Sequence, residues 1–388
     1  MTQSPNNTQR LDFLPYGRQV ISEVDIEAVV ATLRSSWLTT GPRVGDFEDA
    51  VASFCGAAHG VAVSSGTAAL HTAMAAIGIG PGDEVIVPAI TFAATANAVI
   101  YQGGAPVFAD VEADTLLIDP ESVTALITKQ TKAIVAVDYA GQPCNYPALS
   151  AIAKQHNLWL VADACHSLGA EHIGKKVGTL ADCTIFSFHP VKHITTGEGG
   201  MVVTDSPILA EAMRRFRNHG ISTDHRQREA INTWQYEMTE LGYNYRITDF
   251  QCALGLSQLT QLPTFLTRRR HIACQYNAAF TGSRSIHPLA VRPNAASAWH
   301  LYVVRLTGGI DREAAFLQLR ERSIGVNVHY LPVYLHPFYQ NRFGTGQGLC
   351  PIAEAAYKVI LSLPIWPGMD DSHTKRVIHE LEQFQERP

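Results

Sequence analysis

The chain has 388 residues, of which 46% are hydrophobic and 17% are charged, and its formal net charge is -5. This apolar content excludes a disordered chain, and a folded chain of such length buries roughly three quarters of its surface, enough for one large domain and one smaller domain. The slight acidity gives no basic surface for DNA or RNA, so we expect no nucleic-acid partner.

Cysteine usage and hydrophobic patterning indicate a soluble protein of the cytoplasm. The seven cysteines are scattered and include no Cys-x-x-Cys pair, which favours reduced thiols over a disulfide framework or a zinc site, and we expect no metal. Residues 1–11 form a polar tail without the apolar core of a secretory signal. Two uncharged stretches, 60–82 and 85–109, are interrupted by polar residues, Gly and Pro, so neither is predicted to span a membrane.

In chain order, the first predicted elements are two helices and a strand. Apolar residues at helical spacing predict a helix over 46–54. Ser64-Ser65-Gly66 opens a second helix over 67–77, and the turn at 81–83 leads into a strand over 84–87.

The middle of the chain predicts a mainly parallel sheet. Apolar runs over 132–137 and 158–162 predict two buried strands, with a helix over 147–155 between them. A strand, a helix and a strand in about 30 residues form a βαβ unit, whose strands are parallel. Further strands are predicted over 184–188 and 201–204.

The next predicted element is a helix that begins at a capping box. Thr248 and Gln251 form this box, and the helix is predicted to run through Leu259. After about residue 262 the residue pattern of the sequence changes, beginning with Pro263. An Arg-rich run from Arg268 to His271 follows and is interpreted as a solvated helix face.

Strand-like segments over 301–306 and 326–329 then indicate a second α/β domain. We therefore predict a polar tail over 1–11, a large domain over 12–262 and a small C-terminal domain over 263–388.

The densest chemical signal lies between Asp163 and Gly200. Asp163 ends a predicted buried strand, the place where open α/β sheets bind their ligands. Lys192 has uncharged neighbours, and loss of water lowers the pKa of a lysine and makes its amine nucleophilic. This pair favours pyridoxal 5'-phosphate (PLP), with the lysine as its Schiff-base partner and the acid holding its pyridinium nitrogen protonated.

A phosphate anchor for PLP is also present. Ser65, Gly66 and Thr67 open a predicted helix, whose first backbone amides attract an anion. Ser187 supplies a further hydroxyl, and Phe92 can stack on the ring face. Each feature alone has an ordinary structural explanation, such as a helix cap or a solvated lysine. Their occurrence together and in this order favours a PLP site.

The ordered motifs resemble the DegT/DnrJ/EryC1/StrS family of PLP-dependent sugar aminotransferases, a branch of the fold-type-I aminotransferases. The resemblance runs from about Leu14 to Leu363 and is carried by SSGTAALH, VADACHSLGA, SFHPVKHITTGEGG and GYNYRITDFQ. It implies an α/β fold, with a large domain built on a mainly parallel seven-stranded sheet flanked by helices and a smaller C-terminal α/β domain. It also implies transfer of an amino group from L-glutamate to C4 of a nucleotide-linked keto sugar.

The resemblance assigns roles by position. The catalytic lysine of the family falls on Lys192, its pyridinium-binding acid on Asp163, and its phosphate-binding turn on residues 65–67 with Ser187. His166, three residues after the acid, corresponds to the residue near the phenolic oxygen of the ring. Plain packing is the equally weighted alternative for His166. His189 and His193 are interpreted as residues for packing or backbone hydrogen bonds, because one proton-carrying lysine suffices.

Asn244 corresponds to a residue that reaches the cofactor phosphate of the neighbouring subunit, so the resemblance implies a homodimer with composite sites. The most similar subgroup acts on UDP-linked 4-keto-6-deoxy-N-acetylhexosamines. By that match the nucleotide-sugar pocket is lined by Tyr16, Ser36, Trp37, Leu38, Thr39, Val328, His329 and Tyr330. The sequence departs from the subgroup over 222–240, where it is longer and more polar, and this segment bears on substrate choice or on the dimer contact.

Three alternatives stay open. The first is a sibling aminotransferase acting on another UDP- or dTDP-4-keto sugar. The second is a PLP-dependent sugar dehydratase of the same fold, which carries histidine in place of the lysine and is therefore disfavoured by Lys192. The third is a non-catalytic binding protein, which has no need of Lys192, Asp163 and Ser187 together.

Overall fold

The structure, a computed structural model, describes residues 12–223 and 225–384. The polar tail predicted over 1–11 lies outside the described residues. The helices are α1 (Glu23–Leu33), α2 (Pro42–Cys55), α3 (Gly66–Ala76), α4 (Ala93–Tyr101), α5 (Pro120–Leu126), α6 (Tyr146–His156), α7 (Pro207–Phe216), α8 (His225–Ala230), α9 (Asp249–Phe280), α10 (Arg312–Glu321), α11 (Pro337–Phe343), α12 (Pro351–Val359) and α13 (Asp371–Glu382).

The strands are β1 (His59–Val63), β2 (Glu84–Pro88), β3 (Ala105–Ala109), β4 (Thr131–Val137), β5 (Trp159–Asp163), β6 (Glu171–His172), β7 (Lys175–Lys176), β8 (Cys183–Ser187), β9 (Gly200–Thr204), β10 (Ile286–Pro288), β11 (Ala295–Ala296), β12 (Tyr302–Leu306) and β13 (Ile360–Leu363). Within the described ranges, no helix is both long enough and apolar enough to cross a membrane.

A seven-stranded sheet forms the centre of the molecule, in the order β1-β9-β8-β5-β4-β2-β3. Strand β9 runs antiparallel to both of its neighbours, and the pairs from β8 to β3 are all parallel. The mainly parallel α/β sheet predicted from the sequence is thus confirmed. Because parallel strands end at a common edge, the loops after β5 and β8 are brought together there.

Burial on both faces explains why these segments form strands. The central residues of β4 and β5 are buried and apolar, as expected for a parallel sheet covered by helices. Helices and strands predicted in the first two thirds of the chain lie within a few residues of their observed bounds. The correspondences are 46–54 with α2, 67–77 with α3, 84–87 with β2, 132–137 with β4, 147–155 with α6, 158–162 with β5, 184–188 with β8 and 201–204 with β9.

Helix α9 is much longer than predicted. It continues past Leu259 and through Pro263 to Phe280. Proline removes one helical hydrogen bond, but Leu262 and Phe265 are buried beside it, and the helix continues through this position. The domain boundary predicted at 262 therefore falls inside a helix, and the division into two domains stays a prediction.

The C-terminal region contains a second core around an antiparallel sheet of β10, β12 and β13. The strand predicted over 301–306 is present as β12, whereas the strand predicted over 326–329 is wrong. In that segment, Asn327 alone forms a β-bridge, with Ser362. Two residues further on, the Nδ1 atom of His329 lies 2.8 Å from Oγ of Ser362.

The Arg-rich run on α9 is solvated as predicted at Arg270 and His271, but not at Arg269. The side chain of Arg269 is fully buried. Its guanidinium donates hydrogen bonds to the carbonyl oxygens of Trp299, His300 and Ile365, at 3.1, 3.3 and 2.9 Å. The loop before β12 and the segment after β13 cover this part of the helix, which the local run of arginines could not reveal.

Candidate active site

The carboxyl ends of the neighbouring strands β5 and β8 place the predicted chemical residues on one edge of the sheet. Strand β5 ends at Asp163 and β8 ends at Ser187. The turn after β5 carries His166, and the loop after β8 carries Lys192, whose amide donates to the carbonyl oxygen of His189 at 2.9 Å. Residues far apart in the chain thus meet where this class of sheet binds ligands.

Asp163 is held by two hydrogen-bond donors. The hydroxyl of Thr95 donates to Oδ2 at 2.7 Å, and the amide of Cys165 donates to Oδ1 at 3.3 Å. The hydroxyls of Thr91 and Thr95 are 2.7 Å apart, which fixes the Thr95 rotamer in turn. The carboxylate is 6% exposed, so its direction is set by the protein and not by water. The sequence analysis did not identify Thr95. Its spacing of four residues from Thr91, near the start of α4, is a signal that could have identified it.

Lys192 has the environment of a reactive amine. Burial lowers the pKa of its amine below the ordinary value, and the nearby Cys165 and Asp163 partly offset this effect. The amine Nζ lies 3.5 Å from Nε2 of His300. A larger fraction of Lys192 is therefore neutral near pH 7 than for a lysine in water, as a nucleophile or base requires.

The N-terminus of helix α3 lies next to the end of β8 at this edge of the sheet. Ser65 caps the helix, and its Oγ accepts a hydrogen bond from the amide of Ala68 at 3.1 Å. A Cβ atom at Gly66 would lie only 2.9 Å from Cβ of Ser187 and 3.5 Å from Sγ of Cys165. Glycine at this position allows the first turn of α3 to approach the end of β8. The first amides of the helix and the hydroxyls of Ser65, Thr67 and Ser187 then form a set of donors suited to a phosphate.

His166 is buried and keeps one unpaired nitrogen. Its ring centroid is 4.3 Å from that of His300, and its Nε2 lies 3.3 Å from the hydroxyl of Tyr330. Burial, with a smaller effect of Lys192, holds the pKa of His166 well below its ordinary value. Its Nδ1 has no hydrogen-bond partner among the described residues. A buried polar atom without a partner costs free energy, so this nitrogen is available for a ligand.

Several of the predicted sugar-binding residues adjoin His166. The ring of Tyr330 lies 6.1 Å from that of Phe92, which is 61% exposed at the N-cap of α4. His329 follows Val328 and precedes Tyr330, and its ring is 5.3 Å from that of Tyr16. Burial raises the pKa of Tyr16 above its ordinary value. These aromatic rings form a continuous wall that extends from His166.

The other predicted sugar-binding segment lies at the start of α9. The carbonyl oxygen of Leu38 accepts a hydrogen bond from the amide of Asp249 at 3.0 Å, and Thr39 forms a β-bridge with Thr248. The amide of Trp37 is 3.1 Å from Oγ of Ser35, and Ser36 between them is exposed. These contacts run to α9 and not to Lys192.

Asn244 is exposed, and its backbone forms a β-bridge with Asn218. The following residue approaches the phosphate-binding turn of its own chain, because the amide of Ser64 donates to the carbonyl oxygen of Tyr245 at 2.9 Å. Asn218 and Thr39 both line a cleft of about 850 Å³ that does not include Lys192. The arginines that line this cleft are Arg214, Arg215, Arg217, Arg228 and Arg246.

Two further residues of this region escaped the sequence reasoning. His300 lies beside Lys192, and Arg269 holds the backbone of His300. Burial lowers the pKa of Arg269 to about 9. His300 stands between aromatic and apolar residues just before β12, a context that predicts packing, and Arg269 stands in a run of three arginines. Neither position carries a local signal of its role.

The chain belongs to the DegT/DnrJ/EryC1/StrS aminotransferase family, whose model matches residues 19–382. It is 42% identical to the spore coat polysaccharide biosynthesis protein SpsC of Bacillus subtilis (strain 168) over 375 residues, which cover 95% of this chain and 96% of SpsC. The structure of Helicobacter pylori PseC, an aminotransferase involved in the biosynthesis of pseudoaminic acid, matches with a TM-score of 0.91 and 34% identity, covering 97% and 100% of the two chains. The PLP-form of Spr1654 from Streptococcus pneumoniae matches with a TM-score of 0.90 and 32% identity, covering 96% and 99%.

The protein is therefore a PLP-dependent sugar aminotransferase of fold type I, and the predicted family, fold class and cofactor are confirmed. The residues at the sheet edge fit PLP. Gly66 lets the first amides of α3 lie close to Ser187, Asp163 offers a fixed carboxylate, and Lys192 offers an amine of lowered pKa. His166 adds the unpaired Nδ1.

Proposed function

We propose that this protein transfers the amino group of L-glutamate to C4 of a UDP-4-keto-6-deoxy-N-acetylhexosamine. The specific substrate is UDP-2-acetamido-2,6-dideoxy-β-L-arabino-hex-4-ulose, and the product is UDP-4-amino-4,6-dideoxy-N-acetyl-β-L-altrosamine for pseudaminic acid biosynthesis. The observation that carries the chemistry is the meeting of Lys192, Asp163 and the N-terminus of α3 at one edge of the sheet. The full-length similarity to PseC supports the substrate.

Lys192 is the catalytic residue of this proposal. Bound PLP supplies an electron sink that weakens the carbon–hydrogen bond next to the amino group of the donor. Lys192 would take the proton from the α-carbon of glutamate on Nζ and give it up to the carbon of the cofactor that receives the amino group, before 2-oxoglutarate leaves. In the second half-reaction it would take a proton back from that carbon and deliver it at C4 of the sugar. The lowered pKa of Lys192 keeps the amine available as a base at neutral pH.

The other residues bind and orient. The phosphate is assigned to Ser65, Gly66, Thr67 and Ser187, and the ring nitrogen to Asp163, which Thr95 holds in place. His166 contacts the phenolic oxygen and Phe92 the ring face. The nucleotide sugar is bound by Tyr16, Val328, His329 and Tyr330 beside His166, together with Ser36, Trp37, Leu38 and Thr39.

The working form of the enzyme is a cytoplasmic homodimer in this proposal. Asn244 reaches the phosphate in the partner subunit, and its exposure in one chain leaves it free to do so. The segment over 222–240 then lies next to a composite site, where it contributes to substrate choice or to the dimer contact.

A sibling 4-keto sugar is the second candidate substrate. SpsC, a spore coat polysaccharide biosynthesis protein, shares 42% identity with this chain, more than the 34% shared with PseC. The solved structure of DesI in the presence of its TDP-sugar product also matches, with a TM-score of 0.87 and 29% identity, covering 97% and 93% of the two chains. Another UDP- or dTDP-4-keto sugar is therefore the alternative.

An absorbance experiment tests the proposal. The purified protein with PLP is expected to show a visible band, which L-glutamate removes and the UDP-4-keto-6-deoxy-L-arabino-hexose restores. Recovery with a dTDP- or another UDP-4-keto sugar alone would keep the aminotransferase and reject the proposed substrate. The Lys192→Ala variant is expected to lose activity by about 10³-fold, whereas Lys175→Ala, a change of an exposed lysine on β7, keeps it.

A further inference from the structure

The side chain of His300 contacts the proposed reactive atom directly. Its Nε2 lies 3.5 Å from Nζ of Lys192, although 108 positions separate the two residues in the chain. His300 is 5% exposed, so water does not compete freely for this contact. At this distance the imidazole is within hydrogen-bonding reach of the amine.

The imidazole of His300 is fixed from several sides. Its ring centroid lies 4.3 Å from that of His166 and 5.6 Å from that of His193. The carbonyl oxygen of His300 accepts from the guanidinium of Arg269 at 3.3 Å, and Nε2 of His193 lies 3.0 Å from the carbonyl oxygen of Ala298. Both the ring and its backbone are therefore held in one position.

The imidazole of His300 is neutral and can accept a hydrogen bond. Burial, followed by the positive charge of Lys192, holds the pKa of His300 well below its ordinary value. Its Nδ1 has no partner among the described residues, so no competing bond pulls the ring away from Lys192. With the single proton on Nδ1, Nε2 presents a lone pair to the amine.

We propose that His300 is a positioning residue for amino transfer, whose Nε2 accepts a hydrogen bond from the Lys192 ammonium while Lys192 carries the proton between its two transfers. In each half-reaction the proton is on Nζ only between its removal from one carbon and its delivery to the other, and the imidazole neither gains nor loses a proton. This inference rests on the proposed role of Lys192 as the proton carrier. Arg269 serves the same end indirectly, because it fixes the backbone of His300.

The hydrogen bond makes Lys192 a stronger base. An acceptor stabilises the ammonium and so opposes the effect of burial on the pKa of Lys192. Without it, the amine holds a proton less well, and abstraction of the donor proton slows. Binding of glutamate is unaffected, because His300 acts through Lys192.

The test compares His300→Leu, which removes the acceptor, with His300→Gln, whose amide oxygen reaches as far as Nε2. In the cofactor-free protein, the rate at which trinitrobenzenesulfonate labels Lys192 is followed against pH by peptide mass spectrometry. We expect the midpoint to fall by about one pH unit in His300→Leu and to stay near the wild-type value in His300→Gln. In the PLP-loaded enzyme, kcat is expected to fall about tenfold in His300→Leu, with the KM for glutamate unchanged.

Two further variants keep the test decisive. If His300→Leu does not fold, His300→Asn replaces it, since this polar side chain is too short to reach Nζ and should show the same shift. His172→Leu removes another buried histidine, on β6, and should leave the midpoint unchanged. The inference is overturned if the midpoint of Lys192 labelling is the same in all variants. It is also overturned if kcat falls equally in His300→Leu and His300→Gln.

The same data separate this inference from the proposed function. An active Lys192→Ala variant would reject the role of Lys192 and with it the inference about His300. An inactive Lys192→Ala variant with an unshifted midpoint in His300→Leu would reject the inference alone.

Discussion

The sheet edge around Lys192 and the segment from residue 231 to residue 241 present their side chains in opposite ways. At the sheet edge, Asp163, His166 and His300 are 6%, 5% and 5% exposed, and protein atoms fix their directions. In the segment, Ile231, Trp234 and Leu241 are 68%, 85% and 76% exposed. One region is closed within a single chain, and the other leaves large apolar side chains in water.

The difference indicates where each region obtains its contacts. Burial inside one chain is enough to orient Asp163 and to lower the pKa of Lys192. Exposed apolar surface of this kind marks an interaction site, so we expect the 231–241 segment to find its contacts outside its own chain. That expectation agrees with the proposed homodimer. The following substitutions test how completely the sheet edge is buried and how far the 231–241 segment is exposed in the single chain.

Replacement of Arg269 should have the largest effect on stability. Arg269→Leu removes the donor to three carbonyl groups, two of them in fully buried hydrogen bonds, and we expect the free energy of unfolding to fall by about 3 kcal/mol. Chemical denaturation measures it. The neighbouring Arg268→Leu is the control, because the ion pair of Arg268 with Asp371 is half exposed and its loss should cost about 1 kcal/mol or less. An equal loss of unfolding free energy in the two variants would show that the surroundings of Arg269 are less buried than described.

Gly66→Ala should have the next largest effect. The new Cβ meets Cβ of Ser187 at 2.9 Å, and overpacking of this kind costs about 1–3 kcal/mol. We expect PLP to bind more weakly, as measured by titration of the visible band. Gly45→Ala, on α2, has nothing within 4 Å of its Cβ and should leave PLP binding unchanged. Unaltered affinity in Gly66→Ala would place the phosphate elsewhere.

The buried His71 should give a pH-dependent effect. It is on α3, its Nδ1 is 2.9 Å from the hydroxyl of Tyr245, and its ring is 5.0 Å from that of Tyr243. Burial lowers the pKa of His71 to about 4. The unfolded chain therefore takes up a proton near pH 6.5 while the folded chain does not, and stability is lost as pH falls from 6.5 towards 4.

The expected loss from His71 is about 1–2 kcal/mol between pH 7 and pH 5. Denaturation of the wild type and of His71→Gln at both pH values measures it. The difference between the two pH values should be smaller in His71→Gln, and an identical difference would show that His71 is not the responsible group.

Trp234→Ser should have the smallest effect on the fold. Its side chain is 85% exposed, so the unfolding free energy of the single chain should change by about 0.5 kcal/mol or less. Self-association, measured by sedimentation at several concentrations, should weaken. A large loss of stability in the monomer would show instead that Trp234 packs within its own chain.

Local patterns were enough to predict most of the fold. The apolar runs that became β4 and β5, and the capped helix that became α3, are stable only when buried in a parallel α/β sheet. The same local reasoning placed Asp163 at the end of a strand, and the order of strands then brought it close to Ser187 at the end of β8. It was wrong where long-range packing decided the outcome, as in the extension of α9 through Pro263 and the single β-bridge at Asn327 in place of a strand.

The sequence by itself determined the class of protein, its cofactor and the residues that carry local motifs, because strand ends, helix caps and an uncharged lysine loop are properties of short segments. Only the tertiary structure decided that Thr95 holds Asp163, that His300 lies beside Lys192, and that Arg269 is buried. Each of these pairs joins elements that are distant in the chain. Their contacts arise from how the sheet, α9 and the loop before β12 pack together, and no short segment records that packing.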